Sequence, residues 1–249
     1  MSDYTREHGL TFINDDGQER HSFKDFGIYP KTKGMPDPPK VQTEFLDIPG
    51  MDGRLDASQA LDGLVHYEDR DYEQDFLIVN PERDWHEIYS TLLNFLHGRH
   101  MVIIFDDDPL WYYEGRFEVG DPKPDDAGYI TIPVKGTLKP YKYNIVSSTD
   151  DDWLWDPFNF ETGVIREYKD MQIEGQTVIT IIGSAMPVVP VLTVDSENHD
   201  GMTVLYGGHT YQLVDGDNRI PAMSIGPGEH TMTFTGVGTV SIYFREGSL

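Results

Sequence analysis

Apolar residues recur at three- and four-residue steps over one long stretch of the chain. Trp85, Ile88, Tyr89, Leu92, Leu93 and Leu96 predict an amphipathic helix with a wide apolar stripe. Asn80 suits the N-cap, Pro81 suits the first helical position, and Glu82 and Asp84 fall near the positive helix end. His97 falls in the last turn and Gly98 supplies the stop. The helix is expected to cover one face of a sheet.

Around it the pattern has period two or consists of short apolar runs, which predict strands. Before the helix these are Leu10 to Ile13, Phe23 to Tyr29, the polar but aromatic-marked Leu64 to Asp75, and Phe76 to Val79. After it come Met101 to Phe105, Trp111 to Val119, and Tyr129 to Val134, with a turn over Asp121 to Gly128. Lys31 to Lys40 holds Gly34 and three prolines and reads as a loop. Leu46 and Ile48 alternate with Asp47 and Pro49, as in a half-buried strand. Pro49-Gly50 ends that strand, and Gly50 and Gly53 bracket Met51-Asp52 in a tight turn that calls for positive φ.

From Tyr141 to Ser148 the text turns polar, and Ser147-Ser-Thr-Asp-Asp-Asp152 reads as an exposed linker. Beyond it short strands are expected at Val178 to Ile182, Val188 to Val194, Met202 to Leu205, His209 to Leu213, Thr231 to Phe234 and Val240 to Phe244. Gly207-Gly208, Asp215-Gly216 and Gly226-Pro227-Gly228 mark the turns. The expected fold is mainly β in two domains. Residues 1–143 form an α+β unit, a β-sandwich or split barrel with one packed helix, and residues 144–249 form a jelly-roll-type β-sandwich.

Charge narrows the choice of partner. The 249 residues carry a formal net charge of −24, with 28 acids against 14 bases up to Pro140 and 15 against 5 beyond. Nucleic-acid binding needs the reverse sign, and so does an anionic membrane surface. There is no cysteine, so disulfide and thiolate chemistry are excluded. No apolar run approaches the roughly 20 residues of a membrane span, and Met1 to His8 lacks the apolar core of a secretion signal.

Little of the chain looks chemical. His97 and His100 flank Gly98-Arg99 like metal ligands, but the glycine breaks the helix that would align their imidazoles. Asp106-Asp-Asp108 could hold a hard cation, although a solvated acidic loop is the simpler reading. Asp195 to Gly201 departs from a calcium loop because His199 takes the fifth place and the glycine falls one place late. Ser184 lacks the second glycine of a nucleophile elbow. With 43 acids a glycosidase-like carboxylate pair can arise by chance, and the sequence cannot locate it. Trp153, Trp155 and Phe158 make the densest aromatic patch, which suits stacking on sugar or contact with a partner, although aromatics near a domain junction more often anchor packing. No catalytic residue, metal site or cofactor is expected.

Ile48-Pro-Gly-Met-Asp-Gly-Arg-Leu-Asp56 resembles a signature of the distal tail proteins of long-tailed phages. So do, in order, Tyr67 to Tyr72 with Arg70, the capped helix, Leu138-Lys-Pro-Tyr141, and Met223 to Phe234 with Gly238 to Tyr243. The acidic run 150–152 and the Trp153-Leu-Trp155 pair have no counterpart in that pattern. The resemblance implies a structural virion protein of the tail tip, with no enzymatic activity, assembled in the host cytoplasm. It implies a ring, usually hexameric, between the tail tube protein and the tail-tip hub or tail-associated lysin, with a galectin-like outer domain. That outer domain would serve a receptor-binding protein or host cell-wall glycan, so a carbohydrate-binding adhesion module is the alternative. Pro49, Gly50, Met51, Asp52, Gly53 and Arg54 are the expected contact with the adjacent subunit, because a bland turn needs the glycines but has no use for Met51 or Arg54.

Overall fold

The computed structural model describes residues 9–78, 84–124, 129–148, 168–196 and 201–249. The fold is mainly β with one described helix, and the chain divides into two compact units, Met1–Lys142 and Tyr143–Leu249.

The first unit contains β1 (Leu10–Asn14), β2 (Glu19–His21), β3 (Ile28–Pro30), β4 (Phe45–Leu46), β5 (Leu55–Asp56) and β6 (Arg70–Ile78). After α1 (Trp85–Leu96) come β7 (His100–Phe105), β8 (Trp111–Val119), β9 (Lys123–Pro124) and β10 (Ile130–Leu138). Its sheet runs β2-β1-β7-β8-β10-β6-β3, with each pairing antiparallel. β6 merges what the sequence presents as two strands. Arg70, Tyr72, Gln74, Phe76 and Ile78 are buried, while Asp71, Glu73 and Asp75 point to solvent. Those outward acids make the stretch read as polar, although the period of two is intact.

The helix closes this core with Ile88, Leu92, Phe95 and Leu96 buried against Phe12, Phe26, Phe76 and Phe117 of the same cluster. Each such side chain contributes about 1.5–3 kcal/mol on burial. The helix begins later than its sequence suggests. Asp84 is the N-cap, and its carboxylate accepts the His86 N–H at 3.0 Å, so the first turn opens at Trp85 rather than Pro81. Asn80 and Pro81 lie outside the described residues. The helix ends at a His97 C-cap, followed by Gly98 at φ +72°.

β11 (Lys142–Asn144) spans the boundary, and the second unit holds β12 (Met171–Gly183), β13 (Val191–Ser196), β14 (Met202–Tyr206) and β15 (His209–Leu213). β16 (Gly216–Arg219), β17 (Gly228–Tyr243) and β18 (Gly247–Ser248) complete it. The sheet is organised on β17, sixteen residues long, which takes in both Thr231–Phe234 and Val240 onward as a single strand. One side of β17 pairs with β12 along its length. The other pairs first with β14 through Thr233 to Thr235, then with β13 from Gly238.

Gly236 and Gly238, at φ +149° and +143°, sit where the partner changes. A Cβ at Gly238 would lie 2.2 Å from the Asp195 carbonyl oxygen, and one at Gly236 would lie 2.7 Å from Met202. Beneath the sheet, Ile173, Ile181, Leu192, Val204, Met232, Phe234 and Ile242 belong to one core.

Ser147 and Ser148, expected in an exposed linker, are buried in this unit. The Ser148 hydroxyl donates to Ile242 O at 2.8 Å and accepts the Phe244 N–H at 2.7 Å, so its polarity is satisfied by strand backbone.

Candidate functional site

The chain between β3 and β6 leaves the first unit's sheet as a narrow two-stranded arm. Backbone hydrogen bonds hold its two sides together: Lys31 to Asp75, Asp37 to Asp71, Glu68 to Lys40, Gln42 to His66 and Ala57 to Glu44, all at 2.8–2.9 Å. A bridge joins Val41 and Tyr67, and β4 pairs with β5 near the tip. Polar backbone needs are therefore met, although the stretch is too rich in glycine and proline to read as a continuous strand pair.

Its apolar side chains are not covered. Leu46 and Ile48, expected to be half-buried, are 45% and 42% exposed, and Leu61 at the far bend is 94% exposed. Met35, Val41, Phe45, Met51, Leu55 and Val65 are exposed as well. Sequence reasoning found the tip residues and missed Met35, Val41, Leu61 and Val65, whose only signal is an apolar side chain inside polar, turn-rich text. A ribbon two strands wide has no third layer against which to bury either face.

At the tip, Gly50 and Gly53 adopt φ +84° and +80°, with Pro49, Met51 and Asp52 exposed around them. Arg54 is turned back on its own hairpin. Its Nη2 donates to Phe45 O at 3.1 Å, its guanidinium lies 5.0 Å from the Phe45 ring centroid, and its Nε stands 3.5 Å from Asp47. The Ser58 hydroxyl donates to Asp56 Oδ1 at 2.5 Å, and the Ser58 N–H donates to the same oxygen at 2.9 Å. These two bonds hold the Asp56 carboxyl below its usual range. The Leu64 N–H, with His66 beside it, does the same for Asp62.

The other candidate groups are committed elsewhere. The three aspartates after β7 each face a different base: Asp106 faces His21 at 3.0 Å, and Asp107 and Asp108 face Lys33 and Lys142 at 2.6 Å. The loop is thereby pinned to the unit's own cations. His21 uses both ring nitrogens, since Nδ1 accepts the Phe23 and Lys24 N–H groups while Nε2 faces Asp106. Neither nitrogen is left to carry a substrate proton. His97 Nδ1 accepts the Val119 N–H at 3.0 Å and His100 Nδ1 meets Asp15 at 2.8 Å, so the two imidazoles serve separate contacts.

Ser184 Oγ accepts the Gly247 N–H, and Asp215 takes both the N–H and hydroxyl of Ser196. Trp153, Trp155 and Phe158 lie outside the described residues. At the root of the arm, Arg70 is buried, donates to the Pro140 carbonyl and lies 5.4 Å from the Tyr113 ring centroid. Burial lowers its pKa and raises that of Tyr113.

The molecule is thus a two-unit, mainly β chain whose first unit carries an arm of exposed apolar side chains. No family model matches the sequence, and neither does any curated protein. The fold is similar to that of a solved phage protein. Among solved structures it matches the SPP1 Dit (gp 19.1) protein, described as a paradigm of the hub adsorption apparatus in phages infecting Gram-positive bacteria. The two chains share 16% sequence identity, with a TM-score of 0.51 over 96% of this chain and 99% of that one.

Proposed function

We propose that this protein is a structural component of a phage tail tip. Copies close into a ring, taken as a hexamer, joining the tail tube protein to the tail-tip hub or tail-associated lysin. The observation that carries the reading is the arm, which exposes a run of large apolar side chains that a lone chain leaves in water. A neighbouring copy would cover them. The likeness to the SPP1 hub protein over nearly the whole chain supports the setting.

In this reading Pro49 to Gly53 supply the shape of the contact and Met51, Ile48 and Leu55 supply its apolar area. Arg54 stiffens the hairpin through Phe45 while keeping its charge at the rim. The second unit is read as the galectin-like outer domain that carries attachment, to a receptor-binding protein or host glycan. No catalytic role is assigned to any residue. The protein belongs to the virion, at the tail tip.

Mass measurement and electron-microscope images of the purified full-length chain test the reading. A closed ring is expected, and it should form more readily as salt rises, because copies each carrying −24 repel one another. A monomer at every concentration and salt tried would overturn it.

A further inference from the structure

Five aspartates of the chain stand directly before a glycine: Asp16, Asp52, Asp62, Asp200 and Asp215. Such a pair can rearrange without an enzyme, because glycine has no Cβ to shield its nitrogen from the carboxyl behind it. What decides the matter is how the two groups are already held. A peptide N–H committed to a carbonyl is not offered to the neighbouring side chain, and a carboxylate held ionised by hydrogen bonds is a poor electrophile.

Three of the pairs are held, and Asp200 lies outside the described residues. The Gly17 N–H donates to Asn14 O and the Gly63 N–H donates to Gln59 O, both at 2.9 Å. Asp62 also accepts the Leu64 N–H at 2.9 Å and faces His66 at 3.0 Å, and the Leu64 bond holds its pKa below the usual range. Asp215 accepts both the N–H and the hydroxyl of Ser196, and Gly216 opens β16 opposite Val194.

Asp52–Gly53, at the tip of the arm, differs. Both residues are exposed, and among the described residues neither the Asp52 carboxyl nor the Gly53 N–H has a hydrogen-bond partner. Apart from its chain neighbours, nothing stands within 4 Å of the point where a Gly53 Cβ would sit. The hydrogen bond of this turn runs from the Met51 N–H to Ile48 O at 3.1 Å and leaves Gly53 out.

We infer that Asp52–Gly53 is a self-modification site, at which the exposed tip converts aspartate to isoaspartate. The Gly53 nitrogen attacks Cγ of the protonated Asp52 carboxyl. The nitrogen's proton and the carboxyl hydroxyl leave as water, and a cyclic imide forms. Water then opens the ring. Cleavage at Cγ restores aspartate, whereas cleavage at the Asp52 backbone carbonyl leaves the chain running through Cβ and Cγ, with the former backbone carbonyl as the new carboxylate. One water leaves and one enters, so nothing is oxidised or reduced and no other reactant is needed. Charge and mass are unchanged, but the main chain gains one carbon inside the turn that Gly50 and Gly53 shape. The reaction belongs to the free chain and does not need the ring. Only its suppression by a neighbour covering the tip rests on that reading.

The test is warm incubation of the full-length chain at neutral pH in heavy-oxygen water, followed by peptide mapping with electron-transfer fragmentation. It is run on wild type and on Leu55→Asp, a change that removes apolar area from the ring contact. In Leu55→Asp, isoaspartate carrying one heavy oxygen should build up at Asp52 several times faster than at Asp16, Asp62 or Asp215. Asp52→Glu should abolish the signal from that peptide, and Asp52→Asn should release ammonia there faster than Asp52 rearranges. Equal rates at the four aspartates, or an Asp52→Asn chain that keeps its amide, would overturn the inference. Wild type should react more slowly than Leu55→Asp. Equal rapid reaction in both would uphold the site and count against a ring that covers the tip.

Discussion

β6 and the arm it runs into share a sequence style and differ in fate. In β6 acids alternate with Tyr72 and Phe76, and both aromatics vanish into the core. In the arm, Leu46 and Ile48 alternate with Asp47 and Pro49 in the same way, yet both stay in water. The difference is what lies opposite. β6 has β10 and β3 beside it and α1 in the same core, whereas among the described residues β4 and β5 pair only with each other. Alternation marks which side of a strand can be buried, and a third element has to do the burying.

The comparison breaks most visibly in the core. Phe76→Ala should cost the first unit about 3–5 kcal/mol, read as a shifted denaturant midpoint, because Phe76 is wholly buried. Melting like wild type would mean that the unit's core is not where the structure puts it. Gly238→Val should also be costly, at about 1–3 kcal/mol or more, since its side chain would be driven into the Asp195 carbonyl. Its effect should fall on the second unit alone, which residue-resolved hydrogen exchange would show.

In the arm the same kind of change should behave differently. Leu55→Asp should alter monomer stability by no more than about 0.5 kcal/mol, because Leu55 is already exposed. It should nevertheless abolish the ring, and sedimentation beside a thermal melt separates the two effects. Gly53→Val falls between these extremes. At φ +80° a β-branched residue is strained by about 1–3 kcal/mol, so the tip should loosen while the core melts normally.

The smallest effect is electrostatic. Hydrogen bonds from Ser58 lower the folded-state pKa of Asp56 below that of a free aspartate, 3.8. Their stabilisation is therefore present above that pH and is lost as pH falls through the depressed folded value. Ser58→Ala should raise the Asp56 pKa toward 3.8, with little change in melting at neutral pH. A carboxyl carbon NMR titration reads the shift, and an unmoved Asp56 would remove the bond from the account.

The helix was legible because its signals are local. Its apolar stripe and Gly98 lie within a few residues of one another, and only the starting turn moved, from Pro81 to Trp85, where Asp84 offers a nearer cap. β17 was not legible as one strand. Gly236 and Gly238 read as punctuation, yet they let a single strand change partners where a side chain would collide with Met202 or Asp195. Ser147 and Ser148 read as linker for a similar reason, since their polarity is answered by Ile242 and Phe244, nearly a hundred residues away. At the candidate site the tip turn was visible in its glycines, but the length of the apolar arm was not. The packing of Arg54 against Phe45 of its own hairpin was not visible either, because it depends on β4 and β5 pairing.

By itself the sequence determined the chain's sign of charge, its freedom from cysteine chemistry, its β-rich class and the place of its helix. These follow from composition and from periods spanning a few residues. Only the tertiary structure decided which apolar faces found cover and which polar groups were answered from afar. Burial is a property of contacts between distant segments, and two stretches with the same alternation differ only in what the rest of the chain brings against them.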